Sequence, residues 1–359
     1  MPMMAYRPKK GDDFLNNWIT GEKEFLQILH KRLGSSGLQW RDDCMVRPIT
    51  SELSLVYSID SLNRKPSNNR SNDSRSFGKW IASIIANDVI ACGVAPKGLA
   101  LDIGLSAFHD EADLCDFVDG VLDVCTCYNM NYEGGNLNRG TFIGGVSWGI
   151  SNPERIIRRE GAQDGGILLA TARIGLGWAI ELLQRNSACD QNMLDKELVY
   201  EISHFKDNPV INLNAFQEIW ELGVIDCGMD LTDGIIEFGY EIFDRTGLGV
   251  IFSPDNPHKL VKYVSSILQI DPDDMMFEPG YDTPYAHGWC IQKPNIEIVC
   301  STLDKYGIPY TILGEVTRNV SEVYRKKGDL LKQLPRYWDD KAKSEPSYEL
   351  WRKNILNTI

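Results

Sequence analysis

The chain has 359 residues, 43% apolar and 24% charged, enough for one large or two ordinary domains with true cores, so disordered and fibrous classes are excluded. Its 37 Lys and Arg against 50 Asp and Glu leave a net charge of −13, which opposes broad docking on nucleic acid or on an anionic membrane. No apolar run approaches the roughly 18 to 20 residues of a membrane span, the first residues lack a signal peptide's apolar centre, and nine cysteines include no CxxC pair, so the chain reads as soluble and cytoplasmic.

In chain order, residues 14–34 read as a helix and Leu53 to Ile59 as a strand with Leu55, Tyr57 and Ile59 on one face. A polar loop follows from Asn63 to Ser76, carrying Arg64, Lys65, Arg70 and Arg75 and no apolar side chain except a proline ring. From Phe77 to Val94, Ile81, Ile84, Ile85, Val89 and Cys92 recur at helical spacing, and Gly93 and Pro96 mark the end. A strand from Gly98, a helix across Ala112 to Cys127, a glycine-rich turn at Glu133 to Gly140 and a strand from Thr141 complete a first half. The second half opens with a strand at Gly166 and helices at Gly175 and Ala215. A turn at Asp230 then leads into a helix at Ile235. Strands at Gly249, Gly288 and Pro309, with a helix at Ile296, close it. Mixed strands and helices without strict alternation predict an α+β fold. The boundaries are read as 1–152, 153–323 and a charged, helix-prone tail over 324–359, anchored by Trp338 and Trp351. Cys125 and Cys127, with no second pair nearby, read as small core residues rather than a metal site.

The informative positions are acids where a core face is expected. Asp88 follows Ile81 by seven and Ile84 by four, on the apolar side of its helix, where an unpaired carboxylate is costly and calls for a cation. Asp60 ends an apolar strand, Asp43 stands beside Asp42 before it, and Asp230 and Asp233 flank a turn at a helix start that Asp233 or Thr232 would cap. Asn136 lies among Gly134, Gly135 and Gly140, where the backbone can approach a ligand. Carboxylates, a helix start and a Gly-rich segment together suit Mg²⁺ and nucleotide phosphates, since oxygen ligands match the hard cation. The five histidines are dispersed without an HExxH pair, and neither a GxxxxGK[ST] loop nor a GxSxG elbow is present.

In this order the motifs resemble the superfamily of thiamine-monophosphate kinase and aminoimidazole ribonucleotide synthetase (PurM-like), most of all the kinase, over roughly residues 38–318. Arg41-Asp42-Asp43 resembles the family's GDD, Ser58 to Leu62 its STDTL, Ile85 to Pro96 its metal-aspartate helix, Gly134 to Gly140 its GGDTTRG, Arg159 to Gly166 its RSGAKPGD and Asp230 to Ile235 its DLSDGL. An earlier Gly11-Asp12-Asp13 is a decoy at the wrong distance. The resemblance implies a two-domain chain that dimerises through strands of its N-terminal half and binds ATP with Mg²⁺. Metal would fall to Asp43, Asp60, Asp88, Asn136, Asp230 and Asp233, four of which (Asp60, Asp88, Asp230 and Asp233) count as catalytic, while Gly135, Asn136, Arg159 and Thr232 would contact ATP.

Three departures stand out. Asn136 replaces the aspartate of GGD, no histidine follows Leu62, and the GGEDYEL segment is reduced to Pro279-Gly-Tyr-Asp282. The acceptor side is therefore read as rewritten, with Arg64, Lys65, Arg70, Arg75, Tyr281, Asp282, His287 and Trp338 as candidate contacts to a small acceptor other than thiamine monophosphate. Three functions follow: γ-phosphoryl transfer from ATP to a small metabolite, an ATP-dependent synthetase or cyclo-ligase activating an amide or carboxyl oxygen, or a nucleotide-binding protein without turnover.

Overall fold

The computed structural model describes residues 42–63, 73–185, 194–207, 211–254, 256–277 and 286–334. All of these belong to one compact unit spanning Arg41–Arg336. The helix read at 14–34, the 335–359 part of the tail with Trp338 and Trp351, and the candidates Arg64, Lys65, Arg70, Tyr281 and Asp282 lie outside the described residues.

The first sheet has five strands in the order β1 (Met45–Pro48), β2 (Ser54–Asn63), β5 (Phe142–Ser151), β3 (Pro96–Gly104) and β4 (Asn131–Asn138). Helices α1 (Ser74–Ala91) and α2 (Glu111–Tyr128) pack together on this sheet. α1 begins before Phe77 because Asp73 caps it, accepting from the Ser76 N–H at 2.7 Å. Period-two burial in β2 puts Ser54, Val56 and Ser58 under the helices, while Leu99, Leu101 and Ile103 do the same in β3. The other face is open: Ile59 is 71% exposed, and Phe142 and Ile150 stand out beside it.

The second sheet runs β12 (Leu330–Gln333), β11 (Val323–Lys327), β8 (Gly249–Phe252), β10 (Thr311–Thr317), β6 (Gly166–Ala170), β9 (His287–Gln292) and β7 (Ile225–Asp230). Its helices are α3 (Leu176–Arg185), α4 (Lys196–Asp207), α5 (Leu213–Leu222), α6 (Ile235–Thr246), α7 (Lys259–Leu268) and, after a short turn at Pro272–Met275, α8 (Ile296–Lys305). The fold is α+β, with mixed sheets and helices packed on them. The sheets change over between Ser151 and Gly166, yet one apolar core runs across both: Phe77, Ile81 and Phe117 join Phe216, Trp289, Val299 and Leu303.

Several expectations are corrected. The glycine-rich turn at 133–140 is mostly strand β4, which pairs parallel to β3 through a bulge; at Gly135 φ is +147°, and an added Cβ would lie 1.7 Å from the Leu101 carbonyl oxygen. Residues 324–333, read as helical tail, belong to the hairpin β11–β12, with β11 parallel to β8. Its charges mask the alternation, because inward-facing Arg325 is buried with its guanidinium 4.9 Å from the Phe277 ring and 3.4 Å from Asp273. β7, α4 and α7 were missed. Cys125 and Cys127 sit on a helix, so the first is buried and the second exposed; the eight described cysteines are all free.

Candidate functional site

Four acids meet where the linker between the sheets crosses the start of the first sheet. Asp42 and Asp43 precede β1. The Asp43 side chain is 2% exposed and receives the Arg159 guanidinium, whose Nε donates at 2.8 Å; the Asp230 N–H adds a longer bond at 3.3 Å. Asp42 accepts from Arg158 Nη1 at 3.0 Å and from the Arg159 N–H at 3.1 Å. Arg159 also lies 3.7 Å from Glu241 on α6. A double Asp–Arg clasp therefore fastens the entry to β1 onto residues 158–159 and the end of β7.

Asp88 and Asp230 complete the group from α1 and β7. Ser58, on the covered face of β2, donates to Asp88 Oδ2 at 2.5 Å. Asp60 follows Ser58 by two on the same strand, and its charge acts on Asp88. Asp230 is buried and accepts from Thr232 Oγ1 at 2.7 Å and from Asn87 Nδ2 at 3.3 Å. Asp233 contributes its charge to Asp230. Neither Asp233 nor Thr232 caps α6; that position is Gly234, which has no side chain to do so. Thr232 is turned to Asp230 instead.

The electrostatics follow from burial. Asp88 is held well above the usual carboxylate range, first by desolvation and then by the neighbouring charges of Asp230 and Asp43. Asp230 is pushed up to about 7 by desolvation, with Asp43 adding to it. Asp43 is also raised by desolvation, against the pull of Arg159. Burial works against the charge of Arg159, but Asp43, Glu241 and Asp230 outweigh it and keep the guanidinium protonated. Arg159 and Arg245 thus face Asp42, Asp43 and Glu241, while Asp88 and Asp230 have no guanidinium among their hydrogen-bond partners named above, a set that a divalent cation would relieve.

The arrangement fits Mg²⁺ in its chemistry, all-oxygen and electron-rich. Among the described residues no three His, Cys, Asp or Glu side chains are already closed around one point. The reason is local: Arg159, Ser58 and Thr232 hold Asp43, Asp88 and Asp230 in turn. Cavity size does not mark this place. A cavity of about 250 Å³ lies between residues 154–160 and the end of α5, lined by Arg155, Trp220 and Asp226, and contains none of these acids.

Other candidates fall elsewhere. Asn136 on β4 donates its amide N–H to Asp102 at 3.1 Å, on the face of the first sheet away from α1. Arg75 is not a loop residue: it lies in the first turn of α1 and forms a two-pronged pair with Asp123 of α2 at 2.8 and 2.9 Å. His287 is fully buried on β9, edge-on to Phe216 with ring centroids 5.4 Å apart, so it lines no open acceptor pocket. Burial pushes its imidazole down to about 4, which keeps it neutral. Reading the sequence missed Ser58, Asn87, Asp102, Arg158 and Glu241. Only Arg158, beside Arg159 in a run of basic residues, carried a usable signal.

Comparison with known proteins follows the same outline. The family model "AIR synthase related protein, N-terminal domain" matches residues 41–150. A thiamine-monophosphate kinase of Methanospirillum hungatei is 27% identical over 156 residues, which is 43% of this chain and 52% of that relative, so the chain matches about half the relative's length. A selenide, water dikinase of Caldanaerobacter subterraneus subsp. tengcongensis is 24% identical over 332 residues, 88% of this chain and 87% of the relative. Among solved structures, "AaThiL complexed with AMPPCP and TMP" has a TM-score of 0.68 at 20% identity, covering 89% of this chain and 96% of the other.

Proposed function

We propose that this chain, whose residues 41–150 match the AIR synthase related N-terminal domain and whose fold is that of a thiamine-monophosphate kinase structure, is an ATP-dependent phosphotransferase acting on a small-molecule acceptor. The observation that carries the reading is the convergence of Asp43, Asp88 and Asp230, whose charges act on one another and hold Asp88 and Asp230 above the usual carboxylate range. Cations or protons relieve the repulsion within such a set, and bound cations would do so with the carboxylates ionised. Asp43, Asp60, Asp88, Asp230 and Asp233 would hold Mg²⁺, which when bound would neutralise phosphate charge during transfer. No covalent nucleophile on the chain is called for.

The chain's own residues do the positioning. The clasp of Asp42 and Asp43 with Arg158 and Arg159 fixes the strand entry against β7, and Ser58 and Thr232 orient Asp88 and Asp230. Arg159 is the candidate partner for a phosphate oxygen, since it already faces the acid group and a guanidinium binds carboxylate and phosphate alike. The Gly135–Asn136 backbone is the second candidate contact, on the Gly-rich strand. The open apolar face with Ile59, Phe142 and Ile150 supports a homodimer through the first sheet. The net charge of −13 argues against nucleic acid and membrane as partners, and among the described residues no helix is long and apolar enough to cross a membrane.

The test is product analysis of ATP consumption with a panel of small phosphate, alcohol and amine acceptors. A kinase yields ADP and a phosphorylated acceptor in equal amounts, with Mg²⁺ required. Free phosphate with a new bond between two substrates supports the synthetase instead. The dikinase relative, matched over most of its length, makes phosphate release worth scoring in the same assay. Mg²⁺-dependent binding of ATP with neither product would leave a nucleotide-binding protein without turnover.

A further inference from the structure

Arg159 meets acids on both sides of its guanidinium, but it is bonded on one side only. Nε donates to Asp43 Oδ1 at 2.8 Å and Nη2 donates to the same oxygen, so Asp43 fixes one edge of the group. Nη1, on the other edge, makes no hydrogen bond among the described residues. Glu241 Oε2 stands 3.7 Å from it, beyond hydrogen-bond length. The Arg159 side chain is 20% exposed against 2% for Asp43, so the guanidinium is not sealed in with its partner. Opposite charges this close in a poorly hydrated place normally draw together into a bonded pair. Something holds Glu241 back.

The restraint lies one turn further along α6. Arg245 follows Glu241 by four residues, and its Nε and Nη2 donate to Glu241 Oε2 at 3.1 and 2.9 Å. That is the same oxygen that faces Arg159. An acid four residues before a base is the favourable order on a helix, so the sequence builds this hold into α6. Arg245 is itself fixed: its side chain is 8% exposed and its Nη1 lies 3.9 Å from Asp42, which also accepts from Arg158. The oxygen nearest to Nη1 within Glu241 is thus occupied by Arg245, and Arg159 keeps one edge of donors unspent. Such an edge suits phosphate, whose oxygens match the fork of a guanidinium.

We propose that Arg245 is a positioning residue that holds Glu241 off Arg159 and so keeps the Nη1 edge of Arg159 open to a phosphoryl oxygen of the nucleotide. The proposal rests on the reading of Arg159 as a phosphate partner and names what keeps that residue available. Without Arg245, Glu241 turns to Arg159 and carboxylates close both edges of the guanidinium, so phosphate has to compete for it. A pair that merely steadied α6 would behave differently. Its loss would lower stability, and removing Glu241 as well would bring no binding back.

The test uses the full chain with Arg245→Gln, with Glu241→Gln and with both. Affinity for a non-hydrolysable ATP analogue is measured by calorimetry in Mg²⁺, and the urea midpoint of each variant is recorded beside it. Arg245→Gln is expected to weaken the analogue roughly tenfold, within the range by which members of one ion-pair network couple. Adding Glu241→Gln is expected to restore affinity to within about threefold of the parent, since no carboxylate is left to close that edge. Parent-like affinity in Arg245→Gln, or a double variant as weak as Arg245→Gln, overturns the assignment. Should Arg245→Gln fail to fold, Arg245→Lys takes its place, because lysine keeps the charge without the two-pronged hold, and the same loss and recovery are required. A parent chain that does not bind the analogue overturns the nucleotide reading and this proposal together. A parent that binds, with loss in Arg159→Gln and none in Arg245→Gln, leaves that reading standing and removes only Arg245.

Discussion

The two faces of the first sheet use the same residue type for different physical ends. On the covered face, Asp88 is partly buried among Asp43, Asp60 and Asp230, so its charge is expensive and its carboxyl is driven well above its usual range by desolvation and by its neighbours' charges. On the open face, Asp102 is braced by two amides and faces solvent on one side. The covered acids couple stability, protonation and ligand binding tightly; the open one adds charge at little cost to the fold. A buried acid therefore announces itself as a conflict with its surroundings, and an exposed one shows only through its partners.

The largest expected effect breaks the clasp on the covered side. Arg159→Ala leaves Asp43 buried without its cation and is expected to destabilise the metal-free chain by roughly 3–5 kcal/mol, the usual result of halving a buried ion pair. Urea unfolding in EDTA measures this; a loss below 1 kcal/mol, about the worth of an exposed pair, would mean that solvent already screens Asp43.

Next comes Asp88→Asn, which separates the two sides in a single variant. Mg²⁺-dependent ATP consumption is expected to fall by about 100-fold or more, while the metal-free chain melts at a higher temperature because one repelling charge is gone. Full activity in this variant would take Asp88 out of the metal set. Asp102→Asn, by contrast, is expected to leave the metal-free melting temperature nearly unchanged.

A pH series sharpens the contrast further. Asp230 has its pKa raised to about 7 by burial, so the folded chain holds this proton more tightly than the unfolded one. Its contribution is fully present below the ordinary carboxylate range, near pH 4, and is lost as pH rises toward about 7. Thermal unfolding of the metal-free chain should show that decline, Mg²⁺ should reduce it, and Asp230→Asn should flatten it. An unchanged slope in Asp230→Asn would assign the decline to other groups.

The smallest effect is predicted at Arg75, half exposed and paired with Asp123 across α1 and α2. Arg75→Ala is expected to leave the urea midpoint almost unchanged and to leave ATP binding and acceptor affinity as they were. A weaker acceptor affinity would return Arg75 to the acceptor side, where its place in a basic stretch had put it.

Much of the fold was legible because it rests on periodicity. The strand at Leu53 to Ile59, the long helix through Asp88 and the strand at Gly166 follow from the spacing of their apolar residues. β4 was hidden by its glycines, which read as a turn but serve a bulged strand pressed on Leu101. β11 was hidden by Arg325, a buried cation stacked on Phe277 that breaks the apolar–polar alternation. In the site, Asp88 was legible as an acid on an apolar face, and Asp43 and Asp230 through local motifs. Asn87, Ser58 and Asp102 were not, because their roles depend on partners 30 to 143 residues away. The histidine singled out near the acceptor segment is a buried neutral side chain, a placement that only the pairing of β9 between β6 and β7 reveals.

The most direct measurement of the central claim is a crystal structure of the chain with Mn²⁺ and a non-hydrolysable ATP analogue, read by anomalous scattering. Convergence of the acids predicts manganese peaks bound by Asp60, Asp88 and Asp230 and by the analogue's phosphate oxygens. Peaks only at surface carboxylates, with the analogue bound away from these three residues or not bound at all, would contradict it.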